Sequence, residues 1–202
     1  MLTALLDGRA RSAGELAVVS GASPQSASMH LAQLLQGGFV KVWRQGRHRY
    51  YCLAGAHIAH AIEALGSIST VQAYRPSGAS QALCYARTCY DHLAGNLAVR
   101  LTAAWERKRY IVAHGEREFE VTASGARLLG EWGIDANELR QSHRSFARRC
   151  LDWTERKDHL AGAVGAAICQ KLMEFRWITR HERSRVVHVS ARGERELERL
   201  LA

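Results

Sequence analysis

Residues 23–53 read SPQSASMHLAQLLQGGFVKVWRQGRHRYYCL, which predicts a helix followed directly by a basic β-hairpin. Ser23 is a favourable N-cap residue, and Pro24 suits the first position of a helix. Leucines at helical spacing continue the helix as far as a Gly-Gly pair, which ends it. Two short strands over 39–44 and 49–53 follow, and the turn between them holds a glycine that permits a positive φ.

Polar side chains crowd the first turns of this helix, and positive charge collects in the hairpin. A helix in the major groove of DNA contacts base edges with its N-terminal residues, while basic side chains beside it contact phosphates. We therefore expect DNA contacts from Ser23, Gln25, Ser26, Ser28, Met29, His30, Arg44, Arg47, His48 and Arg49. The alternative is a solvated polar helix face beside an ordinary basic hairpin.

A further helix is predicted upstream, where Ser12 and Glu15 form a capping-box pattern. With this helix in place, the chain resembles the ArsR-type (arsenical-resistance repressor-like) family of bacterial transcription regulators. The resemblance is carried by a leucine-rich first helix, the Ser-Pro start of the recognition helix and the sequence GRHRYYCL at 46–53. It covers about residues 1–66 and implies a winged helix-turn-helix that binds operator DNA as a homodimer.

Of two metal sites known in that family, one is absent and the other is only partly matched. Residues 15–20 read ELAVVS, so the cysteines that thiolate sensors carry before the recognition helix are absent. His57, His60 and Glu63 are spaced three apart on a predicted helix, as in members that bind zinc on a dimer helix, but the remaining ligands have no match. A partly exposed polar helix face is the alternative for these three residues.

The composition agrees with a DNA-binding protein. Lysine and arginine number 28 against 19 acidic residues, a formal charge of +9 that favours polyanionic partners. Five cysteines, an odd number, fit reduced thiols in a cytoplasmic protein better than a disulfide framework. No apolar run approaches the ~20 residues that span a membrane, so no membrane partner is expected.

The second half contains an internal repeat. The pentapeptide Asp-His-Leu-Ala-Gly occurs at 91–95 and again at 158–162, each time after a cysteine and before helix, hairpin and helix signals. The sequence thus predicts a mainly α fold with short β-hairpins, in which a winged helix-turn-helix precedes a helical domain containing two further wing-like hairpins. We place the DNA-binding domain at 1–74 and a sensing or dimerisation domain at 80–202, with repeats at about 84–133 and 150–202.

Each pentapeptide is expected to lie in a helix, and the two helices to cross closely at their glycines, which would bring the two histidines to one region. Soft ligands there would suit Zn(II), another thiophilic metal or a trivalent arsenical. The candidate ligands are Cys84, Cys89, His92, Cys150 and His159. Three alternatives stay open: a redox-sensing thiol, an organic effector packed near Tyr85, Tyr90, Trp105 and Trp153, and a purely structural role in which each Asp caps a helix.

These patterns predict a cytoplasmic, homodimeric transcription regulator, a repressor that binds double-stranded operator DNA. A metal or small-molecule effector at the second half would change its operator affinity. The alternative is a basic nucleoid or RNA-associated protein that needs no effector. The sequence shows no nucleophile elbow, phosphate loop or metalloprotease pattern, so no enzymatic activity is expected.

Overall fold

The computed structural model describes residues 1–46, 48–68, 81–181 and 184–202, with the backbone alone given for 67 and 68. Arg47 of the predicted DNA-contacting set and the predicted junction at 74–80 lie outside the described residues. None of the helices in the described ranges is long and apolar enough to cross a membrane.

The N-terminal part consists of short helices around a three-stranded antiparallel sheet with strand order β1-β3-β2. Its elements are a 3-10 helix (Leu2–Leu5), β1 (Arg11–Ser12), α1 (Ala13–Ser20), α2 (Pro24–Gln36), β2 (Val40–Gln45), β3 (His48–Leu53) and α3 (Ala56–Ile68). Leu5, Leu16, Leu31, Val40 and Tyr51 form the core between them.

Local hydrogen bonds fix where the two helices before the hairpin begin. The Ser12 hydroxyl accepts from the Glu15 backbone N–H, and the Glu15 carboxylate accepts from Ser12 N–H, so the predicted capping box is present. Helix α1 ends at Gly21, which has a φ of 64°. The Ser23 hydroxyl accepts from the Ser26 N–H and Pro24 occupies the first turn of α2, as predicted. Helix α2 is thereby set one tight turn after α1.

The C-terminal part contains fourteen elements within the described residues: α4 (Gln81–Tyr85), β4 (Arg87–Cys89), β5 (His92–Ala94), α5 (Asn96–Arg107), β6 (Ile111–His114), β7 (Glu118–Val121), α6 (Ala123–Glu131), α7 (Ala136–Arg140), β8 (Arg148–Leu151), β9 (Asp158–Ala161), α8 (Gly162–Glu174), β10 (Ile178–Arg180), β11 (Val187–Val189) and α9 (Ala191–Leu201). Strands β4 and β5 form one hairpin, β10 and β11 another, and β6-β7-β8-β9 a four-stranded sheet. Residues 182 and 183, in the predicted turn between β10 and β11, lie outside the description.

The hairpin that follows α5 and the hairpin that follows α8 lead into their next helices in the same way. At the start of α6 the Thr122 hydroxyl donates to the Arg109 carbonyl and accepts from Gly125 N–H. The Ser190 hydroxyl makes the equivalent pair of contacts at the start of α9. A Cβ on Gly125 or on Gly193 would lie 2.1 Å from a backbone carbonyl oxygen. The two units therefore share the backbone geometry at this junction as well as the order of their elements.

The prediction that the pentapeptides lie in helices is wrong. His92–Ala94 and Asp158–Ala161 are β-strands, and each helix begins at or directly after the glycine. Gly95 has a φ of 92° and Gly162 a φ of 79°, and a Cβ at either would lie within 2.8 Å of a carbonyl oxygen. These glycines therefore turn the chain from strand into helix rather than bringing two helices into contact.

An apolar cluster joins the N-terminal part to the C-terminal part. Leu6 and Ala59 from the first pack with Leu83, Trp153 and Val186 from the second. Helix α3 therefore lies against the second half of the chain, where it contacts strand β4.

Candidate metal centre and nucleic-acid interface

The predicted DNA-contacting residues of α2 lie on its exposed face. Gln25, Ser28, Met29 and His30 are exposed, with Met29 at 55% despite its apolar side chain. Ser26 is half-buried and its hydroxyl bonds to that of Ser23, so these two serines act chiefly as the cap of the helix. The predicted DNA contacts of α2 that remain exposed and unengaged in capping are therefore those just after the cap.

The hairpin β2–β3 presents positive charge directly after this helix. Arg44 and Arg49 lie opposite each other in the strand register, next to the pair formed by Gln45 and His48. All four side chains are exposed. Like charges directly opposite each other destabilise a sheet, so the arginine pair costs stability unless an anion lies against it.

Two cysteines and two histidines converge in the C-terminal part. Cys89 lies opposite His92 in the hairpin β4–β5, and Cys150 lies opposite His159 in the hairpin β8–β9. Cross-strand neighbours of this kind place their Cβ atoms about 5 Å apart, close enough for both side chains to reach one ion. Strands β5 and β9 contact each other, so the two pairs meet.

The four candidate ligand atoms form a compact group. Both thiol sulfurs and one ring nitrogen of each histidine lie within 4.8 Å of one another. The Nε2 atoms of His92 and His159 are 3.2 Å apart. Three of the residues are buried and Cys150 is half-buried. In the described residues this is the single group of three or more Cys, His, Asp or Glu side chains with spacing suited to a metal ion.

Carboxylates lie behind both histidines. Nδ1 of His92 is 3.3 Å from Asp91 Oδ1, and Nδ1 of His159 is 3.5 Å from Asp152 Oδ2, just beyond a hydrogen bond. Each carboxylate has an arginine partner, Arg144 at 2.7 Å from Asp91 and Arg87 at 2.9 Å from Asp152. Burial raises the pKa of Asp152, but Arg87 and the Thr154 hydroxyl lower it more, so it is held well below its usual range.

A carboxylate from helix α3 lies beside the group of four candidate ligands. Glu63 is buried, and its oxygens accept hydrogen bonds from Cys89 Sγ at 3.3 Å, Trp153 Nε1 at 2.7 Å and Arg185 Nη2 at 2.7 Å. Burial raises the pKa of Glu63, but Arg185 and Arg87 outweigh it and leave the pKa below its ordinary value. Glu63 is thus a charged link between the helix that follows the β2–β3 hairpin and the cysteine of β4.

The two thiols have opposite tendencies. The hydrogen bond to Cys150 and then burial raise the pKa of Cys89 to about 12. The same hydrogen bond lowers the pKa of Cys150, partly against its burial. Cys150 is therefore the more acidic of the two thiols.

One curated relative matches the chain along its whole length. It is the uncharacterized HTH-type transcriptional regulator YdfF of Bacillus subtilis (strain 168), 39% identical over 204 residues that cover 100% of this chain and 90% of the relative. The chain belongs to this family of HTH-type transcriptional regulators. No family model and no solved structure matches it. Because the match spans the whole chain, this HTH-type regulator shares its second half with the relative as well as its first.

The structure separates one predicted ligand of this HTH-type regulator from the other four. Cys84 lies half-buried on the short helix α4 and is not part of the ligand group. Cys89 and His92 do meet, but across a hairpin instead of one turn apart on a helix. The expectation of a helical spacing failed because Tyr90, with a φ of 59°, forms a tight turn that no sequence signal marked.

Sequence reasoning missed Glu63, Arg87 and Asp152 as parts of the site. Glu63 was considered either as a zinc ligand with His57 and His60 or as part of a partly exposed helix face, but three donors hold its carboxylate in the interior. A signal for Arg87 was present, since each repeat carries arginine two residues before its cysteine, at 87 and 148. Both arginines begin the first strand of their hairpin, and each pairs with the alanine of the pentapeptide.

The cavities of the regulator bear on the choice of effector. Trp105 and Trp153 are buried in separate apolar clusters, and Tyr85 and Tyr90 are exposed, so the four do not line one pocket. An apolar cavity against Trp105 has a volume of about 40 Å³, well below the ~300 Å³ of a typical ligand pocket. A second cavity of about 440 Å³ opens beside the ligand group, lined by Cys89, Cys150, His159, His60 and several arginines.

Proposed function

We propose that this HTH-type regulator is a sequence-specific, homodimeric repressor whose operator affinity is changed by an effector bound in its second half. The observation that carries the proposal is the exposed polar start of α2 beside the facing Arg44 and Arg49 of the hairpin. Family membership supports DNA binding. Beyond DNA binding, the proposal names the residues that contact DNA and adds a dimer and an effector.

The order of elements supports a winged helix-turn-helix of the ArsR type. Helix α1, the turn at Gly21, helix α2 and the hairpin β2–β3 follow one another without insertion. In such a fold α2 enters the major groove, and Gln25, Ser28 and His30 reach base edges. Arg44, Arg49 and His48 then contact phosphates or the adjacent minor groove, and we assign the same role to Arg47 from its position in the sequence.

The geometry of DNA recognition by such helices supports a homodimer. Two copies of α2 would enter successive major grooves about 34 Å apart, on a palindromic operator. Exposed apolar side chains are available for an interface, including Val18 at 82% and Leu65 at 66% exposure. Binding an effector would change the spacing of the two α2 helices and with it the affinity for the operator.

The test compares DNA affinity at several salt concentrations, by fluorescence anisotropy on duplexes selected from a random pool and on unselected duplexes. Arg49→Ala should weaken binding to both kinds of duplex and reduce the slope of log K against log salt by about one, because one phosphate contact is lost. Gln25→Ala should chiefly reduce the preference for selected duplexes, by about 1–3 kcal/mol. Arg127→Ala, an equal charge change on the exposed face of α6, is the control and should alter neither quantity.

Two outcomes would contradict the proposal. An Arg49→Ala protein with wild-type affinity at low salt would remove the hairpin from the DNA interface. The second outcome is a wild-type protein whose affinity rises steeply as salt falls but which prefers selected duplexes by less than about tenfold. A regulator should prefer them by ~10³, so this outcome would support the alternative of an effector-independent nucleic-acid-binding protein.

A further inference from the structure

We propose that Cys89, His92, Cys150 and His159 bind one thiophilic divalent cation of the zinc class, in a tetrahedral site that joins the hairpins β4–β5 and β8–β9. The metal site stands on its own geometry. The effect of the metal ion on operator affinity rests on the proposed function, in which the ion is the effector.

The spacing of the ligand atoms fits a tetrahedral ion. Zinc lies about 2.3 Å from cysteine sulfur and about 2.05 Å from histidine nitrogen, so tetrahedral angles place two nitrogens about 3.3 Å apart and two sulfurs about 3.8 Å apart. The Nε2 atoms of His92 and His159 are already 3.2 Å apart. All four atoms lie within 4.8 Å of one another, so side-chain adjustments of about 1 Å close the site.

The facing imidazoles leave a place for a cation between them. Each Nδ1 points at a carboxylate, that of Asp91 or of Asp152, which favours a proton on Nδ1. Each Nε2 then presents a lone pair, and the two lone pairs face each other at 3.2 Å. That contact repels unless a proton or a metal ion lies between the nitrogens. Two sulfurs beside the same point favour the metal ion, because thiolate and imidazole together select zinc-class ions.

The groups behind the ligands are those of a metal site. A metal-bound histidine nearly always has its other ring nitrogen directed at a carboxylate, a carbonyl or water, and both histidines here have an aspartate. Each aspartate is balanced by an arginine, Arg144 or Arg87. Two thiolates and a divalent cation are also neutral together, so a filled site adds no net charge to the interior.

A redox switch explains less of this arrangement than a metal does. A disulfide between Cys89 and Cys150 would use the two sulfurs, but it would leave the histidines facing each other without a cation. It would also give no role to the aspartates behind them. The cavity of about 440 Å³ that reaches Cys89, Cys150 and His159 supplies a path for an ion to enter.

We expect metal binding to affect the N-terminal part through Glu63. The Cys89 thiol donates a hydrogen bond to the Glu63 carboxylate on α3, the helix that follows the hairpin β2–β3. A metal ion takes the place of the thiol proton, so this hydrogen bond is lost when the ion binds. Among the described residues, Glu63 then keeps hydrogen bonds only from Trp153 and Arg185, so helix α3 is free to shift relative to β4, and on the proposed function that shift changes operator affinity.

The test titrates full-length, reduced, chelator-stripped protein with cobalt(II), which reports tetrahedral thiolate coordination by visible bands and a thiolate charge-transfer band in the near ultraviolet. Wild-type protein should bind one equivalent per chain and release it to zinc. Cys150→Ser and His159→Gln should each weaken cobalt binding at least 100-fold. Cys84→Ser is the control, since Cys84 lies outside the ligand group, and should bind as wild type does.

Two ligand variants are used in case one of them misfolds. Either Cys150→Ser or His159→Gln tests the metal site, provided that it keeps the wild-type circular dichroism. Wild-type protein without a tetrahedral cobalt spectrum, or a folded Cys150→Ser or His159→Gln variant that keeps it, would overturn the metal site. The operator assay with and without zinc is separate: a fivefold or larger change in Kd is expected. Cobalt binding with no change in operator affinity would overturn the regulatory role and leave the metal site standing, while absence of any operator preference would instead overturn the proposed function.

Discussion

Gly162 shows at the scale of a single residue why the pentapeptide ends in glycine. Its φ is 79°, and an added Cβ would lie 2.6 Å from the Ser145 carbonyl oxygen. We expect Gly162→Ala to lower the free energy of unfolding by at least about 2 kcal/mol, from backbone strain and the steric conflict together. The shift of the denaturation midpoint at unchanged m-value measures this.

Gly130→Ala is the matched control, because Gly130 lies in helix α6 with no neighbour within 4 Å of the added Cβ. Alanine there should stabilise the protein by about 0.5–1 kcal/mol. If the two variants have the same stability, the conformation given to Gly162 is wrong.

The sequence could place His92 and His159 in one region but not give the reason. The repeat predicted two equivalent positions, but the proximity of the histidines was argued from two crossing helices. They meet instead because the two pentapeptides form strands that contact each other. Glycine is unfavourable in the middle of a helix and of a strand, so the pentapeptide sequence did not distinguish the two. Each glycine is required because it has a positive φ and lies against a backbone carbonyl. This depends on tertiary structure and cannot be predicted from the pentapeptide sequence.

Among the elements, the hairpin β8–β9 depends on Asp152. Its carboxylate accepts from the Thr154 hydroxyl and N–H, the Glu155 N–H and Arg87, and from the Gly95 N–H of the other repeat at 2.7 Å. We expect Asp152→Asn to destabilise the protein by about 3–5 kcal/mol, because Arg87 loses its closest anionic partner in the interior.

The control for this variant lies in the same hairpin. Asp158 pairs with Arg149 at the surface, with both side chains about one quarter exposed. Asp158→Asn should therefore cost no more than about 1 kcal/mol in a parallel urea titration. Equal costs for the two substitutions would mean that the Arg87 pair contributes no more than a surface pair.

The elements differ in how far they follow from sequence. Helix α2 begins at Pro24 and the hairpin strands lie within one residue of the predicted 39–44 and 49–53, because local caps and turns set them. The four-stranded sheet was not predicted, because β7 and β8 pair at Glu118 and Arg148, thirty residues apart. Such pairing depends on tertiary contacts that no local signal encodes.

In the whole molecule, Glu63 connects the two halves through Cys89, Trp153 and Arg185. On the proposed mechanism, a Glu63→Gln protein that keeps the wild-type circular dichroism should bind the operator within about twofold of wild type when metal-free. The reason is that none of the partners of Glu63 in the described residues is a proposed DNA contact. The zinc-induced change in operator Kd, a coupling of about 1–3 kcal/mol, should fall toward zero.

The matched control is Glu106→Gln on the exposed face of α5, which removes the same charge far from the site. It should keep the full response to zinc in the same anisotropy assay. A Glu63→Gln protein whose operator affinity still responds fully to zinc would show that the signal takes another route.

The order of the ligands along the chain has a consequence during protein synthesis. The residues proposed to contact DNA end at Arg49, whereas the last metal ligand, His159, lies in strand β9 of the second half. Domains of a growing chain form from the N-terminus onward, so the part proposed to hold the operator is complete long before the site proposed to control it. A chain interrupted before β9, by a premature stop codon for example, would carry every DNA contact and lack the means of responding to the ion.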